Sequence, residues 1–370
     1  MGFTPGPVYM GRMHRRWGSL RGICFTIAAL ACGCSASKPP AYTRFPQTLI
    51  PAPSTVVSNT ATPPTPNAAP GPQAPPLAVA TQPAVPATPP PATTQPVNSD
   101  NEPWTPILAW CQARGLPAPE IQPGSRAIKI GGITHFLGFE PVALGGAVCI
   151  HPLDRVKTFE PLTQPPSWPN PKTVVLDPGH GGSQAGTRCL TGNRFEKEFT
   201  LDWALRLKPL LEQRGWTVHL TRTNDMDLPL SDRVRIADLH EAGLFISLHF
   251  NSSFPNTQAR GLETYCLTPC GLTSTTTRVY TDDIAATYPN NQFDAANLIL
   301  ARRVHRHLLG TTGATDRGIR RARFMDVLRG QNRPAVLIEG GFLSNPEESK
   351  AINTPAYRQR LAEGVARALE

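Results

Sequence analysis

His180, Glu196, His249 and Glu339 are the residues whose types and places could do chemistry together. Catalytic zinc sites take three protein ligands from imidazole and carboxylate groups and keep a fourth position for water, so histidines and carboxylates at strand ends are the groups to seek. His180 sits in the glycine-rich turn LDPGHGG directly after an apolar strand, where flanking glycines let the backbone fold tightly around an ion. A phosphate-cradling loop is the competing reading, but the segment lacks both the Walker lysine and the G-x-G-x-x-G spacing. Glu196 opens the next helix, where a first-turn glutamate is commonly explained by the helix dipole alone. His249 ends the strand LFISLHFN, and the polar Asn251 and Ser252 after it argue that this strand end opens onto a cleft. Glu339 terminates AVLIEGG, and a carboxylate buried at the mouth of a sheet is costly unless a partner or metal holds it. Beside a metal's water such a group suits a general base. Taken singly, each of the four reads as structural.

The other histidines are weaker candidates. His305 and His307 are two apart on an expected helix and so face different ways. His219 lies within a strand, and the dipole explains His240 at a helix C-terminus. No cysteine pair has C-x-x-C spacing, which speaks against a thiolate zinc site.

The elements that must position these residues alternate between strand and helix signals from Thr173 on, the pattern of an α/β domain with helices on both faces of a sheet. TVVLD reads as a buried strand. A helix follows from about Glu196 to Arg214, with Phe199, Trp203, Leu207 and Leu211 forming one apolar stripe, Gly215 as its stop and Pro209 expected to kink it. WTVHLTR, LFISLHF and GLETYCL read as strands, and Ser231 as the N-cap of a helix reaching His240. A helix from Phe293 to Leu309 and the strand AVLIEGG lead to a last helix opened by Thr354 and Pro355.

Upstream the texture differs. The chain has 370 residues and 41 prolines, so it cannot be packed evenly from end to end. Basic residues before a short apolar run from Ile23 to Cys32 predict a signal peptide over residues 1–34. Its small-residue end, ALACGCSAS, resembles a bacterial lipoprotein processing site, with Cys34 or Cys32 as the lipidated residue and membrane anchor. Ordinary cleavage without a lipid is the alternative, and either route takes the protein out of the cytoplasm. Residues 35–101 form a Pro/Ala/Thr-rich stretch that cannot bury a core and is expected to be disordered, a tether reaching on the order of 100 Å where extended. Residues 102–168 read as a small α+β module, with a helix near Trp104–Arg114 and strands AIKIGG, THFLGF and AVCIH. Export makes Cys111 with Cys149, and Cys266 with Cys270, candidate disulfides. The 36 basic and 27 acidic residues give +9, which favours anionic partners, but no aromatic-interleaved basic stripe exists, and nucleic acid is set aside.

VVLDPGHGG, EKEFTL, LTR, SDRV, SLHFN and AVLIEGGFLSNPEE occur in that order, and with them residues 173–370 resemble the zinc-dependent N-acetylmuramoyl-L-alanine amidases of bacterial cell-wall turnover and daughter-cell separation. The resemblance implies a three-layer αβα sandwich around a twisted, mostly parallel sheet, with peptidoglycan as substrate and the periplasm as its place. It implies that His180, Glu196 and His249 bind one Zn2+ and that Glu339 is the catalytic acid/base. Arg222, Arg233, Asn251 and Asn345 are candidate substrate contacts or loop anchors. Some relatives carry an autoinhibitory helix between the SLHFN strand and the last motif, and an activator protein is a candidate partner. Here the interval from Thr268 to Asn291 is Thr-, Ser- and Asn-rich and reads as a lid or substrate-facing loop. Residues 102–168 resemble the copper amine oxidase N-terminal-like modules that precede some wall amidases, with a plain spacer as the alternative. The competing functions are a zinc peptidase acting within the stem peptide and an inactive peptidoglycan-binding lipoprotein.

Overall fold

A computed structural model describes residues 103–277 and 281–370, so the expected signal peptide, the anchor at Cys34 or Cys32 and the Pro-rich tether lie outside the described residues. In chain order the elements are β1 (Thr105–Pro106), α1 (Ile107–Gln112), β2 (Ala127–Ile130), β3 (Ile133–Phe136), β4 (Val142–Leu144), β5 (Ala147–Ile150) and the single turn α2 (Pro152–Asp154). There follow β6 (Thr173–Pro178), α3 (Glu196–Glu212), β7 (Thr217–Leu220), α4 (Leu230–Leu239), β8 (Leu244–Asn251), β9 (Leu262–Cys266) and α5 (Asp294–Thr312). The chain closes with β10 (Asp316–Arg321), α6 (Asp326–Arg329), β11 (Ala335–Phe342), α7 (Pro346–Asn353) and α8 (Pro355–Ala368). Among the described residues no helix is long and apolar enough to cross a membrane.

The main sheet runs β2-β3-β10-β9-β11-β8-β6-β7. Its neighbours are parallel except for β9 against β11 and the hairpin β2–β3. It is the middle layer of an αβα sandwich. The period-2 alternation of strand side chains sorts the two faces. Val174 and Leu176 of β6, Ile246, Leu248 and Phe250 of β8, and Val336 and Ile338 of β11 join a large core with Phe199, Trp203, Leu207 and Leu211 of α3, Val304 of α5 and Leu361 of α8. Val175, Phe245, Ala335 and Leu337 point the other way, into a smaller core with Ala237 of α4 and Val327 of α6. That second layer is thinner, and it leaves part of its face open.

Residues 102–168 are not the separate module expected. Only β1, β5 and β4 form a sheet of their own, while the β2–β3 hairpin extends the main sheet by pairing β3 parallel with β10. The physical reason is β10 itself, DRGIRR, whose charge hides a strand from hydropathy reading and which would otherwise end the sheet on unpaired backbone groups. Asp316 at its start fastens the join. One carboxylate oxygen accepts the Thr134 amide at 2.8 Å, and the other meets Nε2 of buried His305 at 2.9 Å.

Smaller differences concern element ends and cysteines. α4 begins at Leu230, with Pro229 rather than Ser231 before it, because the amides of Asp232 and Arg233 both reach the Pro229 carbonyl. α3 continues through Pro209 to Glu212. Cys111, Cys149, Cys266 and Cys270 are all free: Cys266 is buried in the large core, while the Cys270 thiol reaches the Ala285 carbonyl.

Burial would raise the Asp316 carboxyl, but the hydrogen bonds from His305 and Thr134 outweigh it and bring its pKa down to about 2. A depressed folded value means that this stabilisation is complete above the unfolded value near 4 and is lost as pH falls toward about 2. The Tm difference between the protein and its Asp316→Asn variant is therefore expected to be steady above about pH 5 and to shrink between about pH 4 and 2. A pH-independent difference would contradict this account of the join.

Candidate metal centre

The open part of the thinner face is where β6, β8, β11 and β9 present their polar residues. Asp177 lies in register with Ser247, His249 with Glu339, and Glu339 with Glu263, so these side chains emerge on one face in adjoining rows. The apolar runs on either side of each polar residue are what the alternation requires of strands packed on both faces.

The turn after β6 is held from beneath. Asp177 is 1% exposed, and its carboxylate accepts Arg233 at 2.7 Å, Thr221 at 2.6 Å and Ser247 at 2.7 Å. Burial alone would raise that carboxyl, yet the guanidinium and the two hydroxyls hold it below the usual carboxylate range. Arg233 also donates to the carbonyls of Pro178, His180 and Leu228. Arg222 donates to those of Pro178, Gly179 and Lys197. Both arginines are thus buried anchors of the turn, at 2% exposure, and neither is among the residues that line the pocket on this face. Outside them, Lys197 reaches the Gly182 carbonyl and Asp225, closing the loop over the start of α3.

So clamped, the turn holds His180 at φ +62°, a left-handed conformation that a non-glycine residue adopts only when its surroundings impose it. Two glycines are required by close approach. A Cβ on Gly179 would fall 2.2 Å from the His249 ring, and one on Gly186 would fall 2.7 Å from a Glu196 oxygen.

His180, Glu196 and His249 converge, with one potential ligand atom from each lying within 4.8 Å of the others. Glu196 is 3% exposed and its two oxygens divide between the imidazoles, Oε2 at 3.1 Å from His180 Nε2 and Oε1 at 3.0 Å from His249 Nδ1. Each oxygen is also fixed by a backbone amide, from Thr187 and Phe250 respectively. Burial opposes the charged form, but the contacts with both histidines keep the Glu196 carboxyl well below its ordinary value. Two imidazoles and an ionised carboxylate at a pocket wall are the nitrogen and oxygen donors that suit zinc, and this set fits the ion. The pocket has a volume of about 610 Å3 and is lined by this trio and by Glu339, Asn251 and Thr276.

Of the remaining candidates, Asn251 donates to Glu263 at 2.8 Å and lines the pocket. Asn345 is the N-cap of α7, accepting from the amides of Glu347 and Glu348 and donating to the Thr257 carbonyl. The interval from Thr268 to Asn291 has one 3-10 turn, Pro289–Phe293, and is otherwise irregular among the described residues. Arg323 binds it through Asp282 and the carbonyls of Pro269 and Leu272.

Sequence reasoning missed a second polar cluster in the same pocket. Glu263 is 3% exposed; it receives Asn251 and Tyr265 on one oxygen and Arg317 on the other, and that second oxygen also forms an ion pair with Arg320 at 3.4 Å. A signal was present: LETYC, read as a strand, places Glu263 and Tyr265 on one face. DRGIRR gives no such hint, because its charge masks the strand.

Residues 174–370 match a family model described as N-acetylmuramoyl-L-alanine amidase. The chain is similar to the N-acetylmuramoyl-L-alanine amidase AmiA of Escherichia coli (strain K12), 31% identical over 216 residues that cover 53% of this chain and 74% of that protein. It is 28% identical over 269 residues to AmiA of Salmonella typhimurium, covering 66% of this chain and 88% of that protein. Among solved structures, the catalytic domain of the amidase CwlV from Bacillus (Paenibacillus) polymyxa var. colistinus is 32% identical, with 54% of this chain and 96% of that one covered and a TM-score of 0.44.

Arg233→Met is expected to destabilise the fold by about 3–5 kcal/mol, because it leaves Asp177 buried and uncompensated. Chemical denaturation measures this, and a loss below about 1 kcal/mol, the scale of an exposed ion pair, would contradict the anchoring role.

Proposed function

The chain belongs to the N-acetylmuramoyl-L-alanine amidase family, and from that premise we propose that His180, Glu196 and His249 hold a zinc ion while Glu339 carries the protons of the reaction. The activity is that of a peptidoglycan amidase. It splits the amide between the lactyl carbonyl of N-acetylmuramic acid and the L-alanine nitrogen, leaving a carboxylate on the sugar and a free amine on the peptide.

The observation that carries the zinc reading is the convergence of two imidazoles and a buried carboxylate within 4.8 Å at the wall of an open pocket. A zinc ion bound there supplies Lewis acidity, which acidifies water and polarises a carbonyl oxygen. Glu339 stands beside His249 in register, one strand spacing or about 5 Å away, and so flanks the place where water and the scissile carbonyl meet. It takes a proton from the attacking water and returns one to the departing alanine nitrogen. Glu263 in the next row, bound by Asn251, Tyr265 and Arg317 and paired with Arg320, lies one strand further from His249 than Glu339 does. The clamp on the 177–180 turn fixes the His180 backbone before any ligand arrives, so little ordering is left to be done on binding.

The reading extends to place. The basic and apolar N-terminus followed by a long Pro-rich stretch supports an exported enzyme that acts on the wall from the periplasm, through a lipid at Cys34 or Cys32 or as a free protein.

Metal content and turnover separate the roles. Glu339→Gln is expected to keep about one zinc per chain while losing roughly 10²-fold or more in turnover on peptidoglycan. His249→Ala is expected to lose both. Wild-type turnover in Glu339→Gln, or full zinc content in His249→Ala, would overturn the assignment.

A further inference from the structure

The row of polar residues that crosses the sheet continues past Glu339 and Glu263 to β10. Arg317 and Arg320 are three apart, and in a regular strand they would point to opposite faces. The register between β10 and β9 shifts between Asp316 and Ile319, so one extra residue on β10 turns both side chains to the pocket face. There the Nε groups of both approach the same oxygen of Glu263, at 2.9 and 3.4 Å. Two guanidiniums share that one carboxylate. Arg317 is also stacked over Phe342 at 4.8 Å, and Arg320 over Phe136 at 4.4 Å. Both arginines line the pocket and keep part of their side chains exposed to it.

Phe136 comes from β3, outside residues 174–370 that match the family. It can lie against Arg320 because Gly318 stands between: a Cβ there would be 2.9 Å from the Phe136 ring. The N-terminal hairpin therefore braces one wall of the pocket.

On these grounds we propose that Arg320 and Arg317 form a subsite for a carboxylate of the stem peptide, and that Phe136 is the positioning residue that aims Arg320 at it. The inference rests on the amidase reading and names what the enzyme selects. In the stem peptide the residue after L-alanine is a γ-linked D-glutamate, whose α-carboxyl is either free or amidated. It lies about two residues' reach, roughly 7 Å, from the scissile carbonyl. The β10 backbone is three strand spacings from His249, on the order of 14 Å, and an extended arginine reaching back from it covers about half that distance. A planar guanidinium whose Nε is turned toward Glu263 still presents two Nη groups, enough to bind one carboxylate.

The test compares two soluble muramoyl tripeptides that differ only at this α-carboxyl, free in one and amidated in the other. Binding of the corresponding released peptides, measured by calorimetry, serves as a readout independent of turnover. The protein is expected to favour the free carboxylate by about tenfold or more in kcat/KM, chiefly through KM, and by a similar ratio in binding. Arg320→Gln is expected to bring both ratios close to one. Phe136→Leu should lower them partly, while Phe136→Tyr, which keeps the ring, should preserve them. A merely structural role would slow both substrates alike and leave the ratios unchanged. Equal rates and equal binding in the wild-type protein would overturn the proposal. Binding that favours the carboxylate without hydrolysis of either substrate would uphold the subsite and overturn the amidase reading instead.

Discussion

A carboxylate and a guanidinium buried together, Asp177 and Arg233, hold the turn on which the rest of the site is hung. Removing two charges from water is expensive, and a buried pair is tolerated only when its remaining donors and acceptors are also met. Here they are. Thr221 and Ser247 complete the carboxylate, and backbone carbonyls on both sides of the turn complete the guanidinium. The pair fixes three carbonyls and two hydroxyls at once, which is why His180 can be kept at a positive φ that its own chain would not choose. From there the geometry propagates. His180 meets Glu196, Glu196 meets His249, and His249 sets the row in which Glu339 and Glu263 follow.

The division of the sheet into two unequal faces explains how a stable fold carries so polar a pocket. On one face, alternate residues of β6, β8 and β11 bury Leu, Ile, Val and Phe under α3, α5 and α8, where close packing supplies stability. On the other, the same strands carry Asp177 and Ser247 buried beneath Arg233 of α4, and His249 and Glu339 at the end that opens into the pocket. Asp177, Ser247 and His249 each have a partner that is itself positioned. The result is a stiff donor set, the condition under which a metal and a proton-transferring carboxylate can act on one bond.

Much of this was legible in the sequence because strand ends announce themselves. Apolar runs that stop at a histidine or glutamate, as at His249 and Glu339, imply residues at the mouth of a sheet, and PGHGG implies a turn too tight for side chains. What stayed hidden has physical reasons. Arg222 and Arg233 invite a surface reading, since the cost of burying a guanidinium is invisible until its carbonyl acceptors are known. Four of the six residues of β10 are charged, and its pairing with β3 joins two segments that composition divides. Register is also invisible: the bulge that brings Arg317 and Arg320 to one face depends on how β10 slips against β9, not on any residue type in it. The cysteine pairs drawn from export alone did not survive the fold, in which Cys266 is committed to the core.

The measurement that tests the central claim most directly is mass spectrometry of the products that the zinc-loaded protein releases from purified peptidoglycan sacculi. The account predicts stem peptides bearing a free L-alanine amine, with muramic acid left as its free lactyl carboxylate. Fragments cut within the stem peptide, with L-alanine still joined to the sugar, would contradict it.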